Sequence, residues 1–170
     1  TLAFQTAAAG AESMAVATFA TTLTKHLVAR QRPPRPGCGP DGEGPLYCSE
    51  QRNESFPSGH TSLAFTGASL ICAVHDEIDL YGGELGDRFA CWGALGAATA
   101  TGVFRIVSDN HYFSDVAIGA VVGFLSGYLV PKLLHFGFGE SSPNRPASRR
   151  GSLRPSPAFG GPHFGYSVRF

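Results

Sequence analysis

The sequence has 170 residues, one domain's worth of chain, with 43% hydrophobic residues and 22 Gly. That composition suits close-packed helices joined by loops and excludes a wholly unfolded chain. Thirteen Lys and Arg balance thirteen Asp and Glu, so no global field favours nucleic acid, and electrostatic function rests on placement.

The chain starts at Thr1 inside an apolar run and reads as a fragment, with further helices expected upstream. Residues 2–30 predict a helix, rich in Ala, Leu, Phe and Val, ended by Pro33-Pro34 and Pro36. Lys25, Arg30 and Arg32 lie near its end. Lys25 and Arg32 are seven residues apart, so two helical turns place both on one face. A bland alternative makes them a solvated basic end that complements the helix dipole.

A Pro- and Gly-rich loop follows to Pro57. Within it Cys38 and Cys48 are candidates for a disulfide, which needs an oxidising compartment. No metal site is expected, because the loop lacks further ligands at a usual spacing. Phe56-Pro57-Ser58-Gly59-His60-Thr61-Ser62 then leads into an apolar run, so it reads as a loop feeding a helix N-terminus. Free N–H groups there make an anion site, Gly59 permits close approach, and His60 can carry a proton near neutral pH.

Three uncharged runs, Thr61–Val74, Phe89–Phe104 and Val116–Pro131, predict the remaining helices. Each falls short of the ~20 residues of a full membrane span, and their flanks extend them toward it. Gly119, Gly123 and Gly127 recur every four residues, a spacing that lets helices approach closely in a membrane. Cys72 and Cys91 lie in apolar runs and read as small hydrophobes. The fold expected is all-α: an antiparallel helical bundle, transmembrane, with the Pro/Gly-rich loop between the first and second helices. The division is a helical domain over residues 1–136 and a largely disordered Pro-, Ser- and Arg-rich tail over 137–170.

If the helices alternate in direction, four termini share one end of the bundle. That end gathers Lys25, Arg32, Ser58, Gly59, His60, Arg105, His111 and Asp115, while the acidic connection over residues 75–88 lies at the other. His111 and Asp115 are four residues apart, so on a starting helix the carboxylate can reach the imidazole and fix its tautomer. Alternatively, Asp115 simply stabilises the helix N-terminus and His111 is a capped surface residue.

Lys25 followed after six residues by Arg32-Pro33, then Pro57-Ser58-Gly59-His60, then Arg105, His111 and Asp115 resembles a known three-part signature. It is that of the type 2 phosphatidic acid phosphatase/vanadium haloperoxidase superfamily, in its membrane lipid phosphatase branch. The resemblance covers residues 25–115, with one departure: members usually carry Ser before the third-motif Arg, where this chain has Phe104. It implies a phosphatase acting on a phosphorylated membrane lipid without a metal or other cofactor. Lys25, Arg32, Arg105, Ser58 and Gly59 would bind phosphate, His111 would form a phosphohistidine with Asp115 behind it, and His60 would protonate the leaving oxygen. Alternatives are a vanadate-dependent haloperoxidase, a soluble periplasmic acid phosphatase and an inactive membrane scaffold. The expected location is a bacterial inner membrane with the site facing the periplasm, the Arg-rich tail lying opposite. Oligomeric state and head group stay open.

Overall fold

The computed structural model describes residues 2–34, 37–39, 53–78, 80–81 and 84–136. Its helices are α1 (Leu2–Val28), α2 (Gly59–Glu77), α3 (Glu84–Val107) and α4 (Phe113–Pro131), followed by a π-helical turn over Lys132–Phe136. Among the described residues there is no strand. The tail from residue 137 and Cys48 of the loop pair lie outside them.

The centre of the bundle is the α2–α4 pair. α1 packs on both, while α3 packs on α2 and only lightly on α4. The buried side chains are small: Ala9, Ala17, Ala68, Ala73 and Ala98, with Ser13, Thr21, Ser62, Thr66 and Ser69. Their hydroxyls are satisfied locally. Ser13 donates to the Ala9 carbonyl at 2.8 Å, Thr21 to Ala17 at 2.6 Å and Thr66 to Ser62 at 2.8 Å, so small polar residues line a close contact without stranded donors.

Gly119, Gly123 and Gly127 let α4 lie on the α2 backbone. A Cβ built on them would stand 2.6 Å from the Ser58 carbonyl oxygen, 2.1 Å from that of Ser62 and 2.1 Å from that of Thr66. The four-residue glycine spacing thus meets the four-residue Ser58–Ser62–Thr66 spacing, turn against turn.

The large apolar groups face outward. Phe19 and Trp92 are each 70% exposed, and Phe89, Phe104, Val107 and Phe113 are exposed too. α3 and the segment Phe113–His135 are each long and apolar enough to cross a membrane. A small-residue interior under an aromatic exterior reverses the arrangement of a water-soluble bundle.

Two expectations are corrected. α1 stops at Val28, short of Arg32, because Ala29 takes a left-handed conformation (φ 45°) and its N–H closes on the Lys25 carbonyl at 2.9 Å. Arg32 therefore reaches the site from an extended segment rather than sharing a helical face with Lys25, and Pro33 disfavours helix at Arg32 itself. Since Ala pays a steric cost at positive φ that Gly does not, Ala29→Gly is expected to stabilise the fold by about 1 kcal/mol. A thermal or denaturant midpoint in detergent reads this, and a lowered midpoint would contradict it.

The second correction concerns Cys72 and Cys91, which are not packing residues. They form a disulfide joining α2 to α3, with their Cα atoms 4.6 Å apart. Each apolar run shows only a small residue on its own; the bond depends on two helices meeting.

At the end away from the basic residues, Asp76, Glu77 and Lys132 meet, with the Tyr128 hydroxyl donating to Asp76 at 2.8 Å. His75 pairs with Asp87 at 2.5 Å and His135 with Glu12 at 2.7 Å. These contacts tie the acidic connection to α3, α4 and the π turn, and the π turn to α1.

Candidate active site

The expected convergence is present. The end of α1, the start of α2, the end of α3 and the start of α4 are stitched together by backbone bonds. Ser55 N–H donates to the Arg30 carbonyl and Ser58 N–H to the Asp115 carbonyl, both at 2.9 Å, and the Arg105 carbonyl accepts from Asn110 at 3.1 Å and His111 at 3.2 Å. The connection from α3 to α4 therefore folds back over the α3 C-terminus and delivers His111 to the centre of this end.

Ser58 is the N-cap of α2. Its buried hydroxyl lies 2.9 Å from that of Thr61 and 3.5 Å from the Thr61 N–H. Gly59 opens the helix, and the Lys25 ammonium lies 3.8 Å from where a Gly59 Cβ would be. A methyl group there would make only ordinary contacts with Thr21 and Lys25. His60, next in the first turn, is exposed. Arg32 Nη1 reaches the Asn110 side-chain oxygen at 3.4 Å.

His111 is 2% exposed. Its Nδ1 lies 2.7 Å from the Ser55 carbonyl oxygen. A carbonyl only accepts, so Nδ1 carries the hydrogen and Nε2 keeps its lone pair. Burial holds the His111 pKa down, to about 4. The Ser55 bond pulls it up, and the charges of Arg32, Arg105 and Lys25 press it down further. Burial first, and then the same three cations, from α1, the segment after it and α3, act on His60. Glu54 is close enough to offset part of the field of Arg32 and Arg105 at Lys25. The result is a neutral, nucleophilic imidazole inside a cationic cluster at a helix N-terminus, a suitable place for a phosphoryl group.

Asp115 is where the geometry departs from expectation. Its Oδ2 lies 3.8 Å from His111 Nδ1, too far for a hydrogen bond. α4 starts at Phe113 with Tyr112 as its cap, so His111 precedes the helix and the two groups stay within ion-pair range without a direct hydrogen bond. Asp115 instead accepts the Tyr112 N–H at 3.0 Å and the Ser55 hydroxyl at 2.5 Å on Oδ2, and Arg30 Nη1 at 2.8 Å on Oδ1. It caps the helix, as the second reading has it, but His111 is buried and not the surface residue that reading expects.

A family model for the PAP2 superfamily matches residues 7–137, a stretch that takes in every expected site residue. The chain belongs to the PAP2 superfamily. A lipid A 1-phosphatase of Porphyromonas gingivalis is 40% identical over 77 residues, 44% of this chain and 15% of that protein. The bacitracin transport permease protein BcrC of Bacillus licheniformis is 39% identical over 85 residues, 48% of this chain and 36% of that protein. Lipid phosphate phosphatase 1 of Arabidopsis thaliana is 29% identical over 122 residues, 61% of this chain and 37% of that protein. The matches thus span well under half the length of these relatives. No solved structure matches the chain.

In this PAP2 domain the departure at Phe104 is local. The Phe104 side chain is exposed, and Ser108 does not replace the missing hydroxyl. Ser108 Oγ donates to the Phe104 carbonyl at 2.6 Å and accepts from the Asn110 amide at 2.6 Å. Sequence reasoning missed the parts played by Arg30 and Ser55. Arg30 stood out only as one charge in a basic helix end, and Ser55 contributes through its carbonyl, which no side-chain pattern reports.

Proposed function

We propose that this PAP2 domain is the catalytic part of a phosphatase that hydrolyses a phosphomonoester or diphosphate of a membrane lipid through a phosphohistidine on His111, without a metal. The observation that carries this reading is the His111 imidazole, buried and neutral, with its Nδ1 proton committed to Ser55 among cations from three segments.

Phosphoryl transfer needs positioning and stabilisation of charge on the non-bridging oxygens. Lys25, Arg32 and Arg105 bind those oxygens, with the Gly59 N–H and the Ser58 hydroxyl completing the cradle. The Nε2 lone pair attacks phosphorus as the bond to the leaving oxygen breaks, and His60 gives that oxygen its proton. Water then loses a proton to His60 and attacks phosphorus. The N–P bond breaks, phosphate leaves, and His111 returns to its neutral form. Asp115 orders the nucleophile's surroundings, and the side-chain cations take the part a metal plays elsewhere.

The outward aromatic groups and the two long apolar helices support a membrane-spanning bundle whose substrate is a lipid. The relatives' names support the same substrate class. In this reading the basic end faces the periplasm of a bacterial inner membrane.

The test is phosphate release by the full-length protein in mixed micelles, with excess EDTA, from phosphatidic acid, phosphatidylglycerophosphate, an isoprenyl diphosphate and lipid A. Release from at least one lipid, unaffected by EDTA, is expected, together with an alkali-stable, acid-labile phosphate on enzyme quenched during turnover. No release across the panel, or full dependence on a divalent cation, would overturn the proposal. Vanadate with peroxide and bromide is expected to yield no oxidised halide.

A further inference from the structure

Resting on that reading, one buried charge remains without a part in the phosphate chemistry. The Asp115 side chain is fully buried, its carboxylate bonds Arg30, Ser55 and Tyr112 rather than the cradle's side chains, and it joins three segments of the site. Its ion-pair partner is Arg30, two residues before Arg32.

We propose that Arg30 is a positioning residue for the reaction, acting through Asp115 and Ser55 to hold the His111 imidazole in its reactive orientation and tautomer. Three contacts close a ring, and a fourth ties His111 to it. The Arg30 carbonyl accepts the Ser55 N–H at 2.9 Å. Arg30 Nη1 donates to Asp115 Oδ1 at 2.8 Å, and Asp115 Oδ2 accepts the Ser55 hydroxyl at 2.5 Å. Ser55 is thereby held at both its N–H and its hydroxyl, and its remaining backbone group, the carbonyl, accepts from His111 Nδ1 at 2.7 Å. Any slip of Ser55 moves the group that sets the imidazole.

Arg30 is itself fixed. Its Nη1 also donates to Ser114 Oγ at 2.7 Å, and its guanidinium carbon lies 4.1 Å over the Tyr112 ring. A planar fork can bond a carboxylate, bond a hydroxyl and stack on an aromatic face together; an ammonium on a flexible stem cannot. Buried carboxylate oxygens that lose such a partner seek another, and the nearest titratable donor is His111, with Nδ1 3.8 Å from Oδ2.

A merely structural salt bridge that caps α4 would affect stability alone. Positioning affects the folded enzyme. The charged groups that act on His111 are Asp115 of α4, Arg32 after α1, Lys25 of α1 and Arg105 of α3, with Arg30 paired to Asp115 and His60 of α2 in the field of the same cations. Removing the Arg30 charge leaves the Asp115 carboxylate uncompensated beside His111, which favours the imidazolium. The acid limb of kcat/KM, where neutral His111 is lost, must then move to higher pH.

The experiment compares Arg30→Met, Arg30→Lys and Ser55→Ala with wild type in the full-length protein, by pH-dependent phosphate release, with inhibition by inorganic vanadate reporting an intact pocket. Arg30→Met is expected to lower kcat roughly 10- to 100-fold with KM changed less than about threefold, and to raise the acid limb. Arg30→Lys is expected to restore the acid limb and only part of kcat. Ser55→Ala is expected to lower kcat in the same sense, and it carries the test if Arg30→Met fails to fold. A folded, vanadate-sensitive variant with wild-type kcat and acid limb overturns the role of Arg30. Phosphate release that survives His111→Ala overturns the reading beneath it instead, so the two failures are distinguishable.

Discussion

Replacing His111 by Ala or Gln is expected to reduce phosphate release by about 10⁴-fold or more, since the group that accepts the phosphoryl is gone and no neighbour can substitute for it. Lys25 and the two arginines have no free lone pair when charged. His60 lies at the exposed start of α2, and the proposed mechanism assigns it the leaving oxygen. The oxyanion cradle survives in these variants, so vanadate or phosphate should still bind within roughly tenfold of wild type. The two substitutions differ in their structural cost. Ala leaves the Ser55 carbonyl without its 2.7 Å donor in a buried place, a loss of about 1–3 kcal/mol. Gln can offer an amide N–H in return and should fold more stably while remaining equally inactive. Activity within tenfold of wild type in a folded His111→Gln protein would remove the nucleophile from His111. The depressed pKa of about 4 adds a second readout. Because the neutral form is the reactive one, the acid limb of the wild-type profile set by His111 lies well below the pH range where an ordinary histidine protonates.

The helices were legible because each apolar run is bounded by charge or by Pro and Gly, and their alternation alone gathers the eventual site residues at one end. The glycine repeat of α4 was equally legible, since a spacing of four on a helix marks one face. What escaped depends on where a helix stops. Nothing about Ala29 announces a left-handed residue, so Lys25 and Arg32 were assigned to one helical face, although α1 ends between them. Tyr112 caps α4, so the spacing of His111 and Asp115 brings the two groups close without the direct hydrogen bond it promised. The Cys72–Cys91 bond requires knowing that α2 and α3 pack at that level. Ser55 acts on His111 through a carbonyl that every residue type possesses. Which residues meet at this end was readable from side-chain identity, while part of what holds them runs through the Arg30 and Ser55 backbone.

That support reaches into the bundle, which gives the glycine stripe its largest expected consequence. Gly123→Ala and Gly127→Ala are each expected to abolish the cooperative thermal transition, or to lower stability by about 3 kcal/mol or more, at the upper end of overpacking costs. At Gly123 the added carbon would sit 2.1 Å from the Ser62 carbonyl oxygen and 2.9 Å from the Phe65 Cβ; at Gly127 it would sit 2.1 Å from the Thr66 carbonyl oxygen and 2.2 Å from Ser69 Oγ. These are backbone and short buried side chains, with no flexible end to swing aside. The Ser62 carbonyl is further pinned by the Thr66 hydroxyl at 2.8 Å. The helices must therefore separate, and in a membrane such pairs gain little from apolar burial to offset the lost contact. Gly93→Ala and Gly96→Ala on α3 provide the control, since nothing lies within 4 Å of either added carbon. With no clash and a better helix former, they should be neutral or up to about 1 kcal/mol more stable. Gly119→Ala links the packing to the chemistry. Its carbon would meet the Ser58 carbonyl oxygen at 2.6 Å, and Ser58 N–H is the donor to the Asp115 carbonyl at 2.9 Å. Pushing Ser58 away shifts the α2 N-terminus against the segment that carries His111, so activity should fall further than stability. Equal thermal midpoints for Gly123→Ala and Gly93→Ala would mean that α4 does not lie on the α2 backbone, and the four helix ends would then lose the contact that brings them together.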